Sequence, residues 1–416
     1  MGNLNTYLEN GKKIDECQSC YSRNIIKFLS LGNLPIANDL FLIDTENNNQ
    51  ILYPTDLFFC KNCFLVQLGF IVKPEIIFPK NFPYTSSSTK ALRDNFDDLA
   101  NECINRFKIH KDDLILDIGS NDGNLLSFFK DYSKVLGVTP EDVGQVAIDN
   151  GIPTIIDFFN KNIAKTIVKN NGKAKIITST NTFAHIPDVN SIVEAICNVL
   201  TNDGVFITES HYFYNLFETF QYDAIYHEHL RYYSFHSLKY ILEKNGLEVF
   251  DLQEIKTHGG SLRVYAAIKG KYKIEESVYK LIAKEKNITS IENMNLFRDK
   301  VEEKKNKLLN LIKDLKKKDC KIFGIGAAAR ASTLINYVGL NNYIDAVLEI
   351  KGSKKIGFYM SGTKIPIYQE DILIKENPEY LLLLSWHISD IIIPKLRAKG
   401  FKGKFIIPLP EPIIIE

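Results

Sequence analysis

The chain has 416 residues, 45% of them hydrophobic and 24% charged, with a formal net charge of +1. That length predicts two or three domains, and no apolar run approaches the ~18 residues that span a bilayer, so a membrane role is excluded from the expectation. A near-zero net charge likewise excludes a global field that recruits nucleic acid, and the N-terminal MGNLNTYLENGKKIDEC lacks the apolar core of a secretory signal, which predicts a cytoplasmic protein.

Four of the seven cysteines form two pairs, Cys17-Gln-Ser-Cys20 and Cys60-Lys-Asn-Cys63. Two such turns each present two thiolates, the spacing of a tetrahedral zinc site. Four sulfur ligands leave no open position, so the metal is expected to hold the fold rather than do chemistry. The surrounding segment is too small to fold on an apolar core alone. Cys103, Cys197 and Cys320 stand singly in apolar surroundings and read as core.

From about residue 89 the pattern turns helical and then alternates. LILDIGS (114–120), KVLGV (134–138), AKIITST (174–180) and GVFITES (204–210) read as strands, with helical stretches such as 189–200 between them. Strand and helix in alternation predict a parallel sheet covered on both faces. Residues 274–318 read as a helical connector, whose lysines alternate with Leu308, Leu309, Leu311, Ile312 and Leu315 to leave a solvated face. A second such pattern follows: a strand at 321–325, Gly326, a helix from about 328, then YIDAVLEI and YLLLLSW. This predicts a further Rossmann-like unit.

In LILDIGSNDGNLL (114–126) a short strand runs through a glycine turn into a helix, so that a nucleotide-like ligand can approach the backbone at Gly119 and Gly123. Asp117 and Asp122 lie near the carboxyl end of the strand, where open parallel sheets bind ligands. The glycine spacing fails the dinucleotide fingerprint; the stretch is read as the S-adenosylmethionine site of a methyltransferase. Further on, AIYHEHLRYYSFHSL gathers Tyr226, His227, Glu228 and His229, a set suited to general-base chemistry near neutral pH. In an extended segment His227 and His229 share one side, and Tyr226 and Glu228 the other. His185 and His258 are loop histidines near strand ends.

Taken in order, the cysteine pairs, GSNDG, FAHIPD, YHEHLRYYS, HGGSLRVY and GIGAAARASTLINYVGL resemble the sugar C-methyltransferases that act on nucleotide-linked keto-deoxysugars. The resemblance covers essentially the whole chain. It implies an α/β protein with a small zinc-binding domain (1–75), a central Rossmann-like S-adenosylmethionine methyltransferase domain (76–273), the connector (274–318) and a C-terminal Rossmann-like nucleotide-sugar domain (319–416); a monomer is expected. It implies His229 as the base that removes the proton next to the sugar ketone, with Tyr226, Glu228 and His185 supporting it and Tyr84 closing over the site. Asp117, Gly119, Ser120, Asn121, Asp122, Gly123 and Thr139 are then expected to line the cofactor pocket, and His258, Arg330, Asn336 and Tyr337 to meet the nucleotide-sugar. A base plus a donor at the developing oxyanion generates the enolate that attacks the methyl group, with no catalytic metal.

One position departs from the resemblance. Where such chains carry an acidic residue for the cofactor ribose, this one reads Gly137-Val138-Thr139-Pro140, and a hydroxyl cannot make the bidentate contact of a carboxylate. Two competing readings follow: a keto-sugar epimerase or isomerase with an altered cofactor pocket, and a non-enzymatic nucleotide-sugar scaffold.

Overall fold

The structure is a computed structural model that describes residues 6–43, 50–79 and 85–416. Its centre is a seven-stranded sheet in the order Leu247–Ile255, Ser261–Ile268, Leu200–His211, Ala174–Thr180, Leu114–Ile118, Lys134–Thr139, Thr154–Ile156. The last five run parallel and the first two antiparallel to their neighbours. The chain enters at Leu114–Ile118, builds outward to Thr154–Ile156, and returns to the other side at Ala174–Thr180. A crevice therefore opens at the carboxyl ends of these two central strands, where the winding reverses.

Alternation explains how the central strand is held. Leu114, Leu116 and Ile118 enter one core with the helices Val189–Val199 and Phe235–Lys244, while Ile115 enters another with the helix Lys90–Phe107. All five residues of Leu114–Ile118 are buried, as expected of a strand covered on both faces. Cys103 belongs to this second core; Cys197 and Cys320, expected inside, are only half-buried.

The N-terminal segment forms an antiparallel sheet of Ile25–Leu34, Tyr53–Cys60 and Val66–Leu68, and its fourth strand, Arg231–Tyr232, is lent by the central region. A six-stranded sheet, Ile367–Gln369, Ala346–Glu349, Ile322–Ile325, Tyr380–Leu383, Lys404–Ile407, Ile413–Ile415, organises the C-terminal part and is parallel except at its last pair. On the side away from its solvated lysines, the helix Ile291–Lys316 buries Met294, Phe297, Val301, Leu308, Ile312 and Leu315 in one apolar cluster shared with the N-terminal sheet and the C-terminal sheet. Spacing of three and four residues gives that face its continuity. A short ladder of Phe41–Leu42 against Phe358–Tyr359 joins the same two regions a second time. Among the described residues no helix is long and apolar enough to cross a membrane.

Candidate active site

Cys17, Cys20, Cys60 and Cys63 place their sulfurs within 4.8 Å of one another, with Cys17–Cys63 at 3.4 Å and Cys20–Cys60 at 3.5 Å. A zinc–sulfur distance of about 2.3 Å gives a tetrahedron with edges of about 3.8 Å, so the four thiols fit a zinc ion. Crowded thiols compete for protons: contacts with Cys17 and Cys63 hold Cys60 down as a thiolate, while Cys17 is pushed up. Between the ligands, Gln18 accepts from Arg231 Nη1 at 2.8 Å, and Arg231 also donates to Pro187 O at 3.2 Å and to Ile186 O. Two hydrogen bonds thus link Gln18, which lies between two of the thiols, to the backbone carbonyl that follows His185.

A cavity of about 760 Å³ opens at the switch point of the central sheet and is walled by all three regions. At its cofactor end, Gly119 (φ 82°) turns the chain where a Cβ would lie 2.1 Å from Thr182 Oγ1, a position only glycine fills. Asp117 accepts from Thr178 Oγ1 at 2.7 Å, and burial pushes its carboxyl up to about 7. Ser120 Oγ lines the cavity, is buried and has no partner among the described residues, as a ligand-facing group does. Asn121 lines the cavity, and its Oδ1 accepts from Ser86 N at 2.9 Å. Asp122 and Gly123 fall outside the lining. Asp122 instead accepts from Ser86 Oγ and from Ser87 N at 3.2 Å, and Gly123 (φ 76°) begins the short helix Asn124–Ser127.

Thr139 ends its strand buried against the cavity, and its hydroxyl donates to Glu141. A carboxylate therefore stands on the same wall, two residues later than expected, with Phe158 and Phe159 beside it for an apolar ring. These residues fit S-adenosylmethionine: a bare-backbone cradle, an orphaned hydroxyl, a carboxylate and an apolar cleft.

The segment at Tyr226 is a turn rather than an extended strand, closed by His229 N to Tyr226 O at 3.0 Å. This overturns the expected sidedness. Tyr226 and His229 face each other with ring centroids 4.2 Å apart, and Tyr226 Oη lies 3.1 Å from His229 Nε2. His229 Nδ1 lies 3.2 Å from Ala224 O, so Nδ1–H donates there and Nε2 carries the lone pair. Burial, then the nearby His185 and His211, hold His229 well below its usual range and therefore neutral. His185 stands edge-on at 5.1 Å and is itself pushed down to about 4 by burial and Arg231. His227 turns away, to Thr55 Oγ1 at 3.2 Å and the Tyr53 ring, and does not line the cavity. Glu228 does line it; burial pushes its carboxyl up to about 7 against the pull of Asn38 and Lys355. Tyr84 lies outside the described residues.

His258 (φ 55°) and Arg330 close the C-terminal wall. Arg330 is already committed: it donates to Asp223 at 3.0 and 2.9 Å, to Gln221 Oε1 at 2.9 Å and to His258 O at 3.2 Å. Asn336 and Tyr337 are not brought to the cavity. Asn336 donates to the Ser332 and Ser361 carbonyls, and Tyr337 packs on Tyr222 while bonding Glu302. On the helix Ala329–Val338, Asn336 turns back onto its own region and Tyr337 faces the seam with Tyr222 and Glu302, directions that spacing alone did not reveal.

Three family models match successive parts of the chain: "Putative zinc binding domain" over residues 17–78, "Methyltransferase domain" over 88–252 and "C-methyltransferase C-terminal domain" over 256–410. C-methyltransferase NovU of Streptomyces niveus is 29% identical over 413 residues, covering 97% of this chain and 98% of that protein. Among solved structures, an S-adenosylmethionine-dependent methyltransferase from Clostridium acetobutylicum ATCC 824 covers 44% of this chain and 94% of its own at 15% identity and a TM-score of 0.35. Magnesium protoporphyrin IX methyltransferase from Synechocystis PCC 6803 covers 42% and 79% at 12% identity and a TM-score of 0.33.

Proposed function

We propose that this chain, which is an S-adenosylmethionine-dependent C-methyltransferase, methylates the carbon next to the ketone of a nucleotide-linked keto-deoxysugar. The observation that carries the reading is the Tyr226–His229 pair, set in the same cavity as the Gly119 turn with the basic nitrogen held neutral. When bound, S-adenosylmethionine supplies an electrophilic methyl group. His229 Nε2 removes the α-proton, for which it must be unprotonated, and burial keeps it so. The Tyr226 hydroxyl aims Nε2 in the resting site; when its hydrogen turns to the ketone oxygen, it frees the lone pair and stabilises the enolate in one motion. Holding the enolate carbon against the methyl group supplies roughly 7–11 kcal/mol of the barrier through proximity.

The cofactor is assigned to Asp117, Gly119, Ser120, Asn121 and the Thr139–Glu141 wall, the acceptor to the cavity between Glu228, His258 and the C-terminal sheet. The reading keeps the division at 75, 273 and 318, and describes a cytoplasmic monomer working on a small molecule. Incubation with methyl-labelled cofactor and a panel of dTDP-, GDP- and CDP-linked 4-keto-sugars tests it, the methyl being located by NMR. Label on a ring carbon α to the ketone is the expected result, and exchange or epimerisation without methylation is the result that favours the isomerase reading.

A further inference from the structure

Glu228 is the one carboxylate of the catalytic turn, and its partner comes from the far end of the N-terminal segment. Asn38 Nδ2 donates to Glu228 Oε1 at 2.6 Å, while Asn38 Oδ1 accepts from Lys355 Nζ at 2.9 Å. The amide is therefore oriented, acceptor to the ammonium and donor to the carboxylate. Lys355 belongs to the C-terminal region and donates also to Ala327 O at 2.8 Å, so both its acceptors are uncharged. Lys355 is half-buried; burial lowers its ammonium, and the charges of Glu349 and then Glu228 hold it up. Glu349 stands behind it, bonded to Ala327 N at 2.7 Å, and Glu228 stands before it across Asn38.

The arrangement depends on how the two ends of the chain meet. Asn38 lies three residues before the strand Phe41–Leu42 and Lys355 three residues before Phe358–Tyr359, and these strands pair antiparallel, reinforced by Ile43 N to Gly357 O at 3.1 Å. The ladder acts as a latch that brings Lys355 and Asn38 onto the catalytic turn. All three side chains line the cavity.

We propose that Lys355 and Asn38 are positioning residues of the methyl-transfer site: Lys355, acting through the oriented Asn38 amide, lowers the proton affinity of Glu228, which favours its carboxylate form, and aims it as a hydrogen-bond acceptor for a hydroxyl of the methyl acceptor. Without the ammonium, a buried carboxylate beside Tyr226, His227 and His229 on its own turn takes up a proton and becomes a donor, which reverses the polarity of that wall. The Arg330–Asp223 pair is internally neutralised, and among the described residues Lys355 is the cation that acts on Glu228 from an opposing element. The catalytic consequence rests on the function proposed above; the electrostatic link does not.

The test uses the zinc-loaded full chain. A wild-type minus E228Q infrared difference spectrum identifies the protonated carboxyl band of residue 228, which is then titrated in K355M, K355R and N38L. K355M and N38L are expected to raise the midpoint by about one pH unit, a tenfold change in proton affinity, and K355R to leave it near wild type. The low-pH limb of methyl transfer to the 4-keto-sugar panel should move up in parallel in K355M, with kcat falling more than KM rises. An unmoved midpoint in K355M or in N38L, at an unchanged melting temperature, overturns the link. If K355M unfolds, K355R with a midpoint raised as far as in N38L overturns it equally. Full activity in E228Q removes the catalytic reading alone, since the infrared midpoint still decides the link.

Discussion

Tyr226 and His229 are three residues apart and meet ring to ring, with the tyrosine hydroxyl 3.1 Å from the imidazole Nε2. Under the proposed chemistry the two substitutions have different signatures. H229N removes the base and is expected to lower kcat by about 10²–10⁴. Y226F removes the donor and the aim but leaves the base, with a smaller loss, about 10²–10³, the scale of one oxyanion donor. Calorimetry should find the cofactor affinity of both unchanged. Wild-type rates in H229N end the assignment.

Under the proposed function, Glu141 is the residue that takes over the cofactor ribose contact. Thr139 donates its hydroxyl to Glu141, which fixes the carboxylate on the cavity wall. Loss of a charge-assisted hydrogen bond of about 1.5–3 kcal/mol predicts that E141Q weakens S-adenosylmethionine binding by about 10- to 100-fold, with T139A milder. Undiminished binding in E141Q returns the ribose contact to another group.

How legible was this in the sequence? The elements with strong period were: the strands at 114, 134, 174 and 204 and the helix at 189 stand within a few residues of expectation. The cysteine pairs converge as their spacing required. What local pattern could not supply was partnership at a distance. Asn38, Asp223 and Lys355 carry no motif, and each matters only because the chain's ends meet over the cavity. The sidedness of Tyr226 to His229 failed for a definable reason: a turn brings residues i and i+3 together, whereas a strand separates them. Glu141 stands two residues after Thr139 in GVTPED, and the Thr139 contact is what puts its carboxylate on the cavity wall.

Metal removal tests a linkage that the fold makes short. Gln18 lies between two cysteine ligands and holds Arg231, whose strand completes the N-terminal sheet and whose guanidinium grips the carbonyls next to His185. Zinc site formation is strongly coupled to folding in small domains, with apparent values of about 10–16 kcal/mol. A chelator, or C60S, is expected to release about one zinc per chain, lower the melting temperature and abolish methyl transfer, although no cysteine lines the cavity. Full activity in metal-free protein contradicts the linkage.

The buried histidines set the acid stability. His185, His211, His227, His229, His258 and His387 are all held below their usual range, chiefly by burial. Folded, they stay neutral as pH falls through about 6.5, whereas unfolded they take up protons, so their stabilisation is complete above 6.5 and is lost as pH falls toward the folded values, about 4 for His185 and His227 and about 3 for His211. Asp117 and Glu228, pushed up to about 7, act in the opposite sense over the same range, and Asp39, which burial also raises, acts in that sense too. Six groups outweigh three, and each net proton is worth about 1.4 kcal/mol per pH unit. Melting temperature should therefore fall steadily from pH 6.5 to 4.5; a flat or rising profile shows that the carboxylates dominate.

Arg330 decides between the sequence expectation and the structure. As a contact to the nucleotide-sugar, its loss raises the acceptor KM and leaves stability alone. In the fold, however, it faces Asp223, which is fully buried and also accepts Trp386 Nε1 at 2.8 Å, so R330M strands a carboxylate in the seam between the central and C-terminal sheets. Breaking a buried pair from one side costs about 3–5 kcal/mol, while removing both partners costs less because neither charge is left alone. R330M is therefore expected to lower the melting temperature sharply, and the R330M/D223L double variant to recover part of the loss. A stable R330M protein with only a raised acceptor KM contradicts the structural role and assigns the guanidinium to the substrate.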